Sequence, residues 1–295
     1  MRKKKVGCFI IIGAVMILAL AAVGWLIRKN ETWILVQYAD ASGNQGMFYT
    51  MKNPFNGALI VVDGGWPENE SYVRAVLEEN GNVVDAWFLT HYHGDHISAF
   101  NAIYQNPRGV TIKKVYATPL DWDTFSEVCR DWDTPESFRS FLDLIRDEDV
   151  TYLKAGDLIS IKNLEVEVFH SYDDSLKGYY RDDIPNNASL IFRISGKKDS
   201  ILFCGDAHQA PLADYLMDTW KEKLHAGYVQ TGHHGNNSFP KRFYEAVDSD
   251  TALFDAPEWL MTGEGYTAYK LKNYFEKQGV TVWDYTTAPN SFLFR

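Results

Sequence analysis

The stretch His91-Tyr92-His93-Gly94-Asp95-His96 decides how this 295-residue sequence is interpreted. It follows the apolar run VVDAWFLT at residues 83–90, which predicts a buried strand that delivers the chain into a polar loop. Three imidazoles and one carboxylate within six residues suit zinc, manganese or iron, and Gly94 lets the backbone turn tightly between them. The stretch therefore predicts a metal-binding loop, followed by a helix over ISAFNAIYQ at residues 97–105.

The segments around this loop alternate between strand and helix patterns. Apolar runs that predict strands include WILVQYAD, ALIVVDGG, LEVEVFH, SLIFRIS and SILFCGD, and periodic runs that predict helices include PLADYLMDTW and YTAYKLKNYFEKQG. Residues 121–149 carry ten acids against three bases, and SFRSFLDLIRD within them has helical spacing. We therefore predict one α/β (α+β) domain over residues 31–295, with a helical acidic insertion at about 121–149.

Composition and charge limit the classes of function. Hydrophobic residues make up 46% of the chain and aromatic residues 15%, which is ample for a folded core. The formal net charge of −10 disfavours a nucleic-acid partner, because such binding relies on clustered Lys and Arg. The three cysteines form neither a C-x-x-C pair nor a disulfide framework.

The N-terminus departs from this average. Residues 6–27 are 22 residues without a charge, long enough to cross about 30 Å of hydrocarbon as a helix. Four basic residues at 2–5 precede this run and two follow it, so we expect a membrane anchor within residues 1–30, with a cytoplasmic N-terminus and the catalytic domain outside. The alternative is a cleaved secretory signal, because Ala19-Leu20-Ala21 fits the small-x-small rule. Both interpretations export the domain.

The H-x-H-x-D-H pattern at residues 91–96 resembles the hallmark of the metallo-β-lactamase fold superfamily. The resemblance covers roughly residues 33–295 and implies an αββα sandwich with two metal ions at one edge between the sheets. In that arrangement His91 and His93 serve the first metal, while Asp95 and His96 serve the second.

Three further sites match the family's order along the chain. Asp63, at the end of ALIVVDGG, resembles the buried aspartate that orients the metal loop, although a plain strand-end turn is the alternative. Asp206, in ILFCGDAH, resembles the carboxylate that bridges the two ions. The pair His233-His234 in TGHHGNNS resembles the last histidine motif of ComEC-like competence proteins. The resemblance places His233 on the second metal and His234 near the substrate, with an exchange of these roles left open.

The sequence also departs from the family. Many members supply a third histidine to the first metal, where this chain has Asn186-Asn187-Ala188-Ser189, so Asn187 or Ser189 is a candidate for the first ion or a substrate oxygen. His170 is the alternative third ligand, or a hydrogen-bonded structural residue. His208 is a further candidate near the site. Residues 39–45 replace the Gln-Gly-Asp segment usual in ComEC-like domains, which weakens the transfer of a DNA-degrading role.

The resemblance implies a metal-dependent hydrolase with two divalent cations, zinc first and manganese or iron as alternatives. Two cations that share Asp206 would acidify a water molecule and supply hydroxide, which Asp95 helps to orient. We expect a phosphodiesterase that acts on a small-molecule or cell-surface phosphodiester. Three alternatives remain open: a ComEC-type nuclease with a basic track near the metals, a lactam or ester hydrolase, and a non-catalytic binding module.

Two tryptophans in the insertion bear on the substrate. Trp122 and Trp132 each stand in an Asp-Trp-Asp triplet, which suits a pocket for the quaternary ammonium of a phosphocholine ester. The competing interpretation is that these side chains pack the insertion onto the domain. The sequence carries no signal for an oligomeric state.

Overall fold

The computed structural model describes residues 31–40, 42–130, 132–180, 183–286 and 288–295. The predicted anchor or signal peptide, residues 1–30, lies outside them. In the part of the chain that is described, no helix is both long enough and apolar enough to cross a bilayer.

The described strands form two large sheets and one small one. They are β1 (Trp33–Gln37), β2 (Phe48–Lys52), β3 (Leu59–Asp63), β4 (Val83–Val84), β5 (Ala86–Phe88), β6 (Thr111–Ile112), β7 (Val115–Ala117), β8 (Val150–Tyr152), β9 (Leu158–Ile161), β10 (Leu164–His170), β11 (Ile191–Ser195), β12 (Ser200–Phe203), β13 (Tyr228–Gln230), β14 (Thr251–Phe254), β15 (Thr281–Asp284) and β16 (Asn290–Phe294). The first sheet has the order β16-β1-β2-β3-β5-β7-β8, and the second has the order β15-β14-β13-β12-β11-β10-β9. The short strands β4 and β6 pair with each other.

Helices cover the outer faces of the two large sheets. They are α1 (Glu70–Glu79), α2 (Gly94–Gln105), α3 (Trp122–Val128), α4 (Pro135–Leu144), α5 (Lys177–Tyr180), α6 (Ile184–Asn187), α7 (Ala210–Trp220), α8 (Lys241–Val247), α9 (Glu258–Thr262) and α10 (Thr267–Gln278). Helices α3 and α4 lie in the predicted insertion, between β7 and β8.

Two separate cores explain why the central strands are apolar on both faces. Along β3, Ile60 and Val62 belong to the core between the two sheets, whereas Leu59 and Val61 belong to the core between the sheets and the helices. Successive side chains of a strand point to opposite faces, so a strand buried on both sides becomes a continuous apolar run. This layering is the αββα sandwich that the resemblance implies.

The candidate site lies where several strands end at their carboxyl termini. Asp63 ends β3, and the metal loop at residues 91–96 follows β5, which pairs with β3 in parallel. In the other sheet Asp206 follows β12, and the His233-His234 turn follows β13, its parallel neighbour. Carboxyl ends of adjacent parallel strands meet at the same edge, so the sandwich brings these loops together.

Candidate metal centre

The metal loop changes from extended to helical backbone in its middle. His93 is extended and precedes α2, so Asp95 and His96 lie in the first helical turn. Gly94 begins that helix in a confined space, where an added Cβ would lie 3.1 Å from both Ser137 Oγ and the Trp66 ring. The backbone N–H of Gly94 donates to Thr134 Oγ1 at 2.7 Å, which ties the loop to the insertion.

The structure brings donor atoms from distant stretches into two overlapping groups. We call His91, His93 and Asp206 the first donor group. The second donor group is Asp95, His96, Asp206 and His234. Within each group the ligand atoms all lie within 4.8 Å of one another, and every member is buried. Asp206 belongs to both groups. Two cations that shared one carboxylate would need this arrangement.

Unsatisfied polar atoms show that these residues fit cations. Within the described residues, Nε2 of His91, His93 and His96 and Oδ1 of Asp206 are buried without a hydrogen-bond partner. Buried polar atoms nearly always have a partner, because an unpaired one loses its hydration without compensation. A divalent cation is the partner that suits imidazole nitrogen and carboxylate oxygen together. The donor set is therefore suited to a dinuclear centre.

Two interactions orient the histidines of the second donor group. Asp63 Oδ2 lies 2.7 Å from His96 Nδ1, and Asp63 also accepts hydrogen bonds from the backbone N–H and the hydroxyl of Thr90. On the other side, His234 Nδ1 donates to the carbonyl oxygen of Asp255 at 3.0 Å. Each contact uses Nδ1 and leaves Nε2 directed at the site, as bonds to the far ring nitrogen do in metal centres.

The electrostatics of the protein alone show how strongly the site favours positive charge. Burial opposes a charge on His96, but the nearby carboxylates, Asp206 foremost, outweigh it and hold the pKa of His96 well above its usual range. Against the same burial effect, Asp206 and Asp95 raise the pKa of His234 to about 10. Cations that bind these nitrogens must displace their protons.

The first donor group differs in this respect. Burial lowers the pKa of His91 well below its usual range, and the neighbouring His96 lowers it further. The His91 imidazole is therefore neutral at physiological pH, which is the form that binds a metal ion.

The doubled histidine lies in a strained turn. His233 and His234 have φ angles of 52° and 55°, in the left-handed region that side chains other than glycine rarely adopt. Glycine precedes them by necessity, since a Cβ at Gly232 would lie 2.2 Å from the carbonyl oxygen of Ala207. Strained backbone of this kind concentrates at functional sites.

This turn decides which of the two histidines enters the site. His234 Nε2 lies 3.1 Å from Asp95 Oδ2 and 3.2 Å from Asp206 Oδ2. His233 points elsewhere: its Nδ1 bonds the Asn236 carbonyl, and its ring stacks on His208 with centroids 4.9 Å apart. Among the described residues His234, and not His233, belongs to a donor group, because the left-handed turn directs His234 there. This is the exchange of roles that the sequence left open.

The candidates for a third ligand to the first metal have other partners. His170 Nδ1 donates to the Ser189 carbonyl at 2.8 Å, and its Nε2 contacts the Tyr180 hydroxyl at 3.1 Å. Burial lowers the pKa of His170 to about 4, so its imidazole is neutral. Asn187 accepts from two backbone N–H groups, of His208 and of the next residue, and its amide donates to a backbone carbonyl. Both side chains are structural in this arrangement.

Ser189 and His208 lie closer to the donors. Ser189 Oγ accepts the backbone N–H of Asp206 at 3.0 Å and so helps to place the shared carboxylate. His208 Nδ1 contacts the carbonyl of Asp206, and its Nε2 lies 3.4 Å from Asp183 Oδ2. Neither side chain belongs to a donor group among the described residues.

Two contacts of the site were not predicted from the sequence. Thr90 is the hydroxyl partner of Asp63, and Asp133 Oδ1 of the insertion lies 3.4 Å from His93 Nε2. The position of Thr90, directly before the metal loop, could have suggested its role. Asp133 offered no such signal, because it is one of ten acids in its segment.

Residues 55–230 match the family model of the metallo-beta-lactamase superfamily, so this chain belongs to that superfamily, whose members include metal-dependent hydrolases. The superfamily assignment agrees with the two sheets, the edge location and the donor groups described above. No curated protein sequence matches the chain significantly.

Several solved structures have a similar fold. The metallo-beta-lactamase fold protein YhfI from Bacillus subtilis has 13% identity and a TM-score of 0.53, over 88% of this chain and 99% of that one. Zn(2+)-bound PqqB from Methylobacterium extorquens has 11% identity and a TM-score of 0.54, with the same coverages. CmlA, a diiron beta-hydroxylase from Streptomyces venezuelae, has 13% identity and a TM-score of 0.52, over 88% of this chain and 54% of that one. At these identities the similarity shows the fold alone.

Proposed function

We propose that this chain is a metal-dependent phosphodiesterase that holds two divalent cations, zinc in the first instance, with manganese or iron as alternatives. The observation that carries the proposal is the position of Asp206. Its carboxylate lies 3.3 Å from His96 Nε2 through one oxygen, and 3.9 Å from His91 Nε2 through the other. One carboxylate thus contacts both donor groups. A shared ligand of this kind would keep two cations close enough to act on the same phosphoryl group.

The residues of the chain have distinct tasks in this proposal. His91 and His93 would hold the first cation and Asp95, His96 and His234 the second, while Asp206 would serve both. When bound, two such cations acidify a water molecule and stabilise the negative charge that develops on a phosphoryl oxygen. Asp95 would be a ligand of the second cation, and its carboxylate would also orient that water.

The surroundings of the site favour a small or cell-surface phosphodiester over a nucleic acid. A small cavity of about 50 Å³ borders His234 of the second donor group, together with His233, Trp259 and Gln45. The charged side chains that contact the site's histidines from outside the donor groups are carboxylates, such as Asp63 at His96 and Asp183 at His208. The formal net charge of −10 likewise disfavours a polyanionic partner.

The ComEC-like resemblance of the His-His-Gly turn and the preceding asparagines supports phosphodiester chemistry in particular. A ComEC-type nuclease is the second candidate on the same evidence. A lactam or ester hydrolase would use the same donor groups, but the ComEC-like resemblance does not support that chemistry. A non-catalytic module is less well supported, since both donor groups are complete enough to hold a cation.

The insertion gives limited support to a phosphocholine substrate. Arg139 covers the Trp122 ring at 4.3 Å, and Trp122 also packs against Phe125 and Phe138. Trp122 is therefore a packing residue, which disfavours a pocket made by both tryptophans. Trp132 is 70% exposed, but the Arg130 guanidinium already lies over its ring, 5.4 Å from the centroid, so neither tryptophan offers a free face to a quaternary ammonium. We also propose that residues 1–30 tether or export the domain to the outer side of the membrane.

A substrate panel tests the function. Purified full-length protein, loaded in turn with zinc, manganese and iron, is assayed on bis-p-nitrophenyl phosphate, p-nitrophenyl phosphorylcholine, single-stranded DNA and nitrocefin. We expect the two small phosphodiesters to be cleaved fastest, and Asp206→Asn to abolish that cleavage while the exposed His225→Ala leaves it unchanged. Faster cleavage of DNA would establish the nuclease instead, and faster cleavage of nitrocefin would overturn the phosphodiesterase proposal.

A further inference from the structure

The acidic insertion contacts the metal centre through one buried carboxylate. Asp133 is 3% exposed, and its Oδ1 lies 3.4 Å from His93 Nε2 of the first donor group. We propose that Asp133 is part of the first metal position and supplies a carboxylate there in addition to the shared Asp206. The inference rests on the dinuclear centre proposed above, and it concerns a residue that the donor groups do not include.

The two donor groups are unequal without Asp133. The second donor group has two imidazoles and two carboxylates, whereas the first has two imidazoles and only the shared Asp206. The candidates for a third ligand make other hydrogen bonds. His170 contacts the Ser189 carbonyl and the Tyr180 hydroxyl, and Asn187 accepts the backbone N–H of His208. A divalent cation bound by two imidazoles needs negative charge nearby, and Asp133 is the carboxylate in contact with His93.

The two atoms of this contact lie close together without a hydrogen bond between them. His93 Nε2 has no hydrogen-bond partner among the described residues, although it is buried. The other carboxylate oxygen of Asp133, Oδ2, accepts the backbone N–H of Arg130 at 2.6 Å. That bond fixes the carboxylate and leaves Oδ1 on the side of His93. Burial of a carboxylate is costly unless it is paired, and a cation at His93 would pair it.

The backbone next to Asp133 is strained and bonded to the metal loop. Thr134 has φ 46° and ψ 58°, a left-handed conformation that is rare for a β-branched residue. Its hydroxyl accepts the N–H of Gly94, and its carbonyl accepts the N–H of Ser137. Ser137 in turn contacts Ser98 of α2 through the two hydroxyls, 3.0 Å apart. Strain of this kind persists where surrounding contacts enforce it, so the insertion is held in register with the metal loop.

Metal binding tests this role without reference to turnover. Full-length protein stripped with a chelator is titrated with zinc in competition with a chromogenic chelator, so that two binding constants are obtained. For Asp133→Asn we expect one constant to stay at the wild-type value and the other to weaken by about 10- to 100-fold, the usual effect of losing a carboxylate beside a metal ligand. Asp143→Asn, an exposed acid on α4 of the same insertion, is the matched control and should leave both constants unchanged.

The urea midpoint of each metal-stripped variant shows whether it is folded, and Asp133→Ser replaces Asp133→Asn if the latter is unfolded. Two unchanged constants in the folded Asp133 variant would overturn the inference. Equal losses in the Asp133 and Asp143 variants would also overturn it, since the effect would then be one of overall charge. If the wild-type protein itself bound no metal, the dinuclear centre and the proposed function would fail together with it.

Discussion

Phe138 stacks on Tyr92, with ring centroids 4.0 Å apart and planes inclined by 9°. Tyr92 stands between His91 and His93 in the metal loop, and its hydroxyl donates to the carbonyl of Thr118. Phe138 belongs to α4 of the acidic insertion. The insertion is thus packed onto the back of the metal loop by an aromatic pair, in addition to the polar contacts around Gly94.

Truncation of this pair should destabilise the protein. Phe138 is fully buried, so Phe138→Ala leaves a cavity and is expected to lower the free energy of unfolding by about 3–5 kcal/mol. Urea unfolding of the metal-stripped protein measures the change. Leu158→Ala, at a side chain that is 64% exposed, should cost only about 0.5 kcal/mol. Similar losses for the two variants would show that Phe138 is not a core contact of the insertion.

Metal stoichiometry should separate the shared donor from the others. Asp206→Asn removes a charge from both donor groups and is expected to lower the bound metal from two equivalents to fewer than one. His234→Ala removes a donor from the second group alone and should leave about one equivalent, because the first group is intact. Elemental analysis of purified protein gives these values. His233→Ala is the neighbouring control and should retain two; a loss there with none in His234→Ala would reverse the assignment of the turn.

The first metal pair should be essential for turnover and dispensable for folding. His91→Ala combined with His93→Ala removes two nitrogens that have no hydrogen-bond partner in the described structure, so the far-ultraviolet circular dichroism should stay unchanged. Hydrolysis of bis-p-nitrophenyl phosphate should fall below detection. Chelation of the wild-type protein should have the same effect, and added zinc should reverse it. Activity that persists in the double variant would exclude a role for the first donor group.

The central part of the site could be predicted because its donors are close together in the sequence. His91, His93, Asp95 and His96 lie within six residues after an apolar strand, so local pattern alone brings them together. Asp63 and Asp206 also end apolar runs. The layered sandwich was expected from the resemblance of the H-x-H-x-D-H pattern, and the two cores of the structure agree with it. The choice between His233 and His234 could not be predicted, since it depends on a left-handed turn.

Contacts that depend on tertiary packing could not be predicted from the sequence. Asp133 reaches His93 across forty residues, and only the packing of α4 on α2 decides which acid of the insertion is turned inward. The strands β14 and β16 were not predicted either. Both are short, with sequences TALF and NSFLF, and β16 is defined by its pairing with β1 at the opposite end of the chain. Long-range pairing of this kind leaves little trace in local periodicity.

His170 should make the fold sensitive to acid. Burial lowers its pKa to about 4 in the folded protein, whereas an unfolded histidine has a pKa of about 6.5. Below pH 6.5 the histidine therefore binds a proton in the unfolded chain but not in the folded chain. The free energy of unfolding falls as the pH is lowered toward 4, by about 3 kcal/mol in total.

His170→Asn cannot take up this proton and keeps a donor for the Ser189 carbonyl. Urea unfolding of metal-stripped protein between pH 4 and pH 7 should thus give a flatter profile for His170→Asn than for the wild type. His225→Asn, at an exposed histidine, should run parallel to the wild type. Parallel profiles for wild type and His170→Asn would mean that the buried imidazole is already charged in the folded state, and its hydrogen bonds to Ser189 and Tyr180 would then need a different proton arrangement.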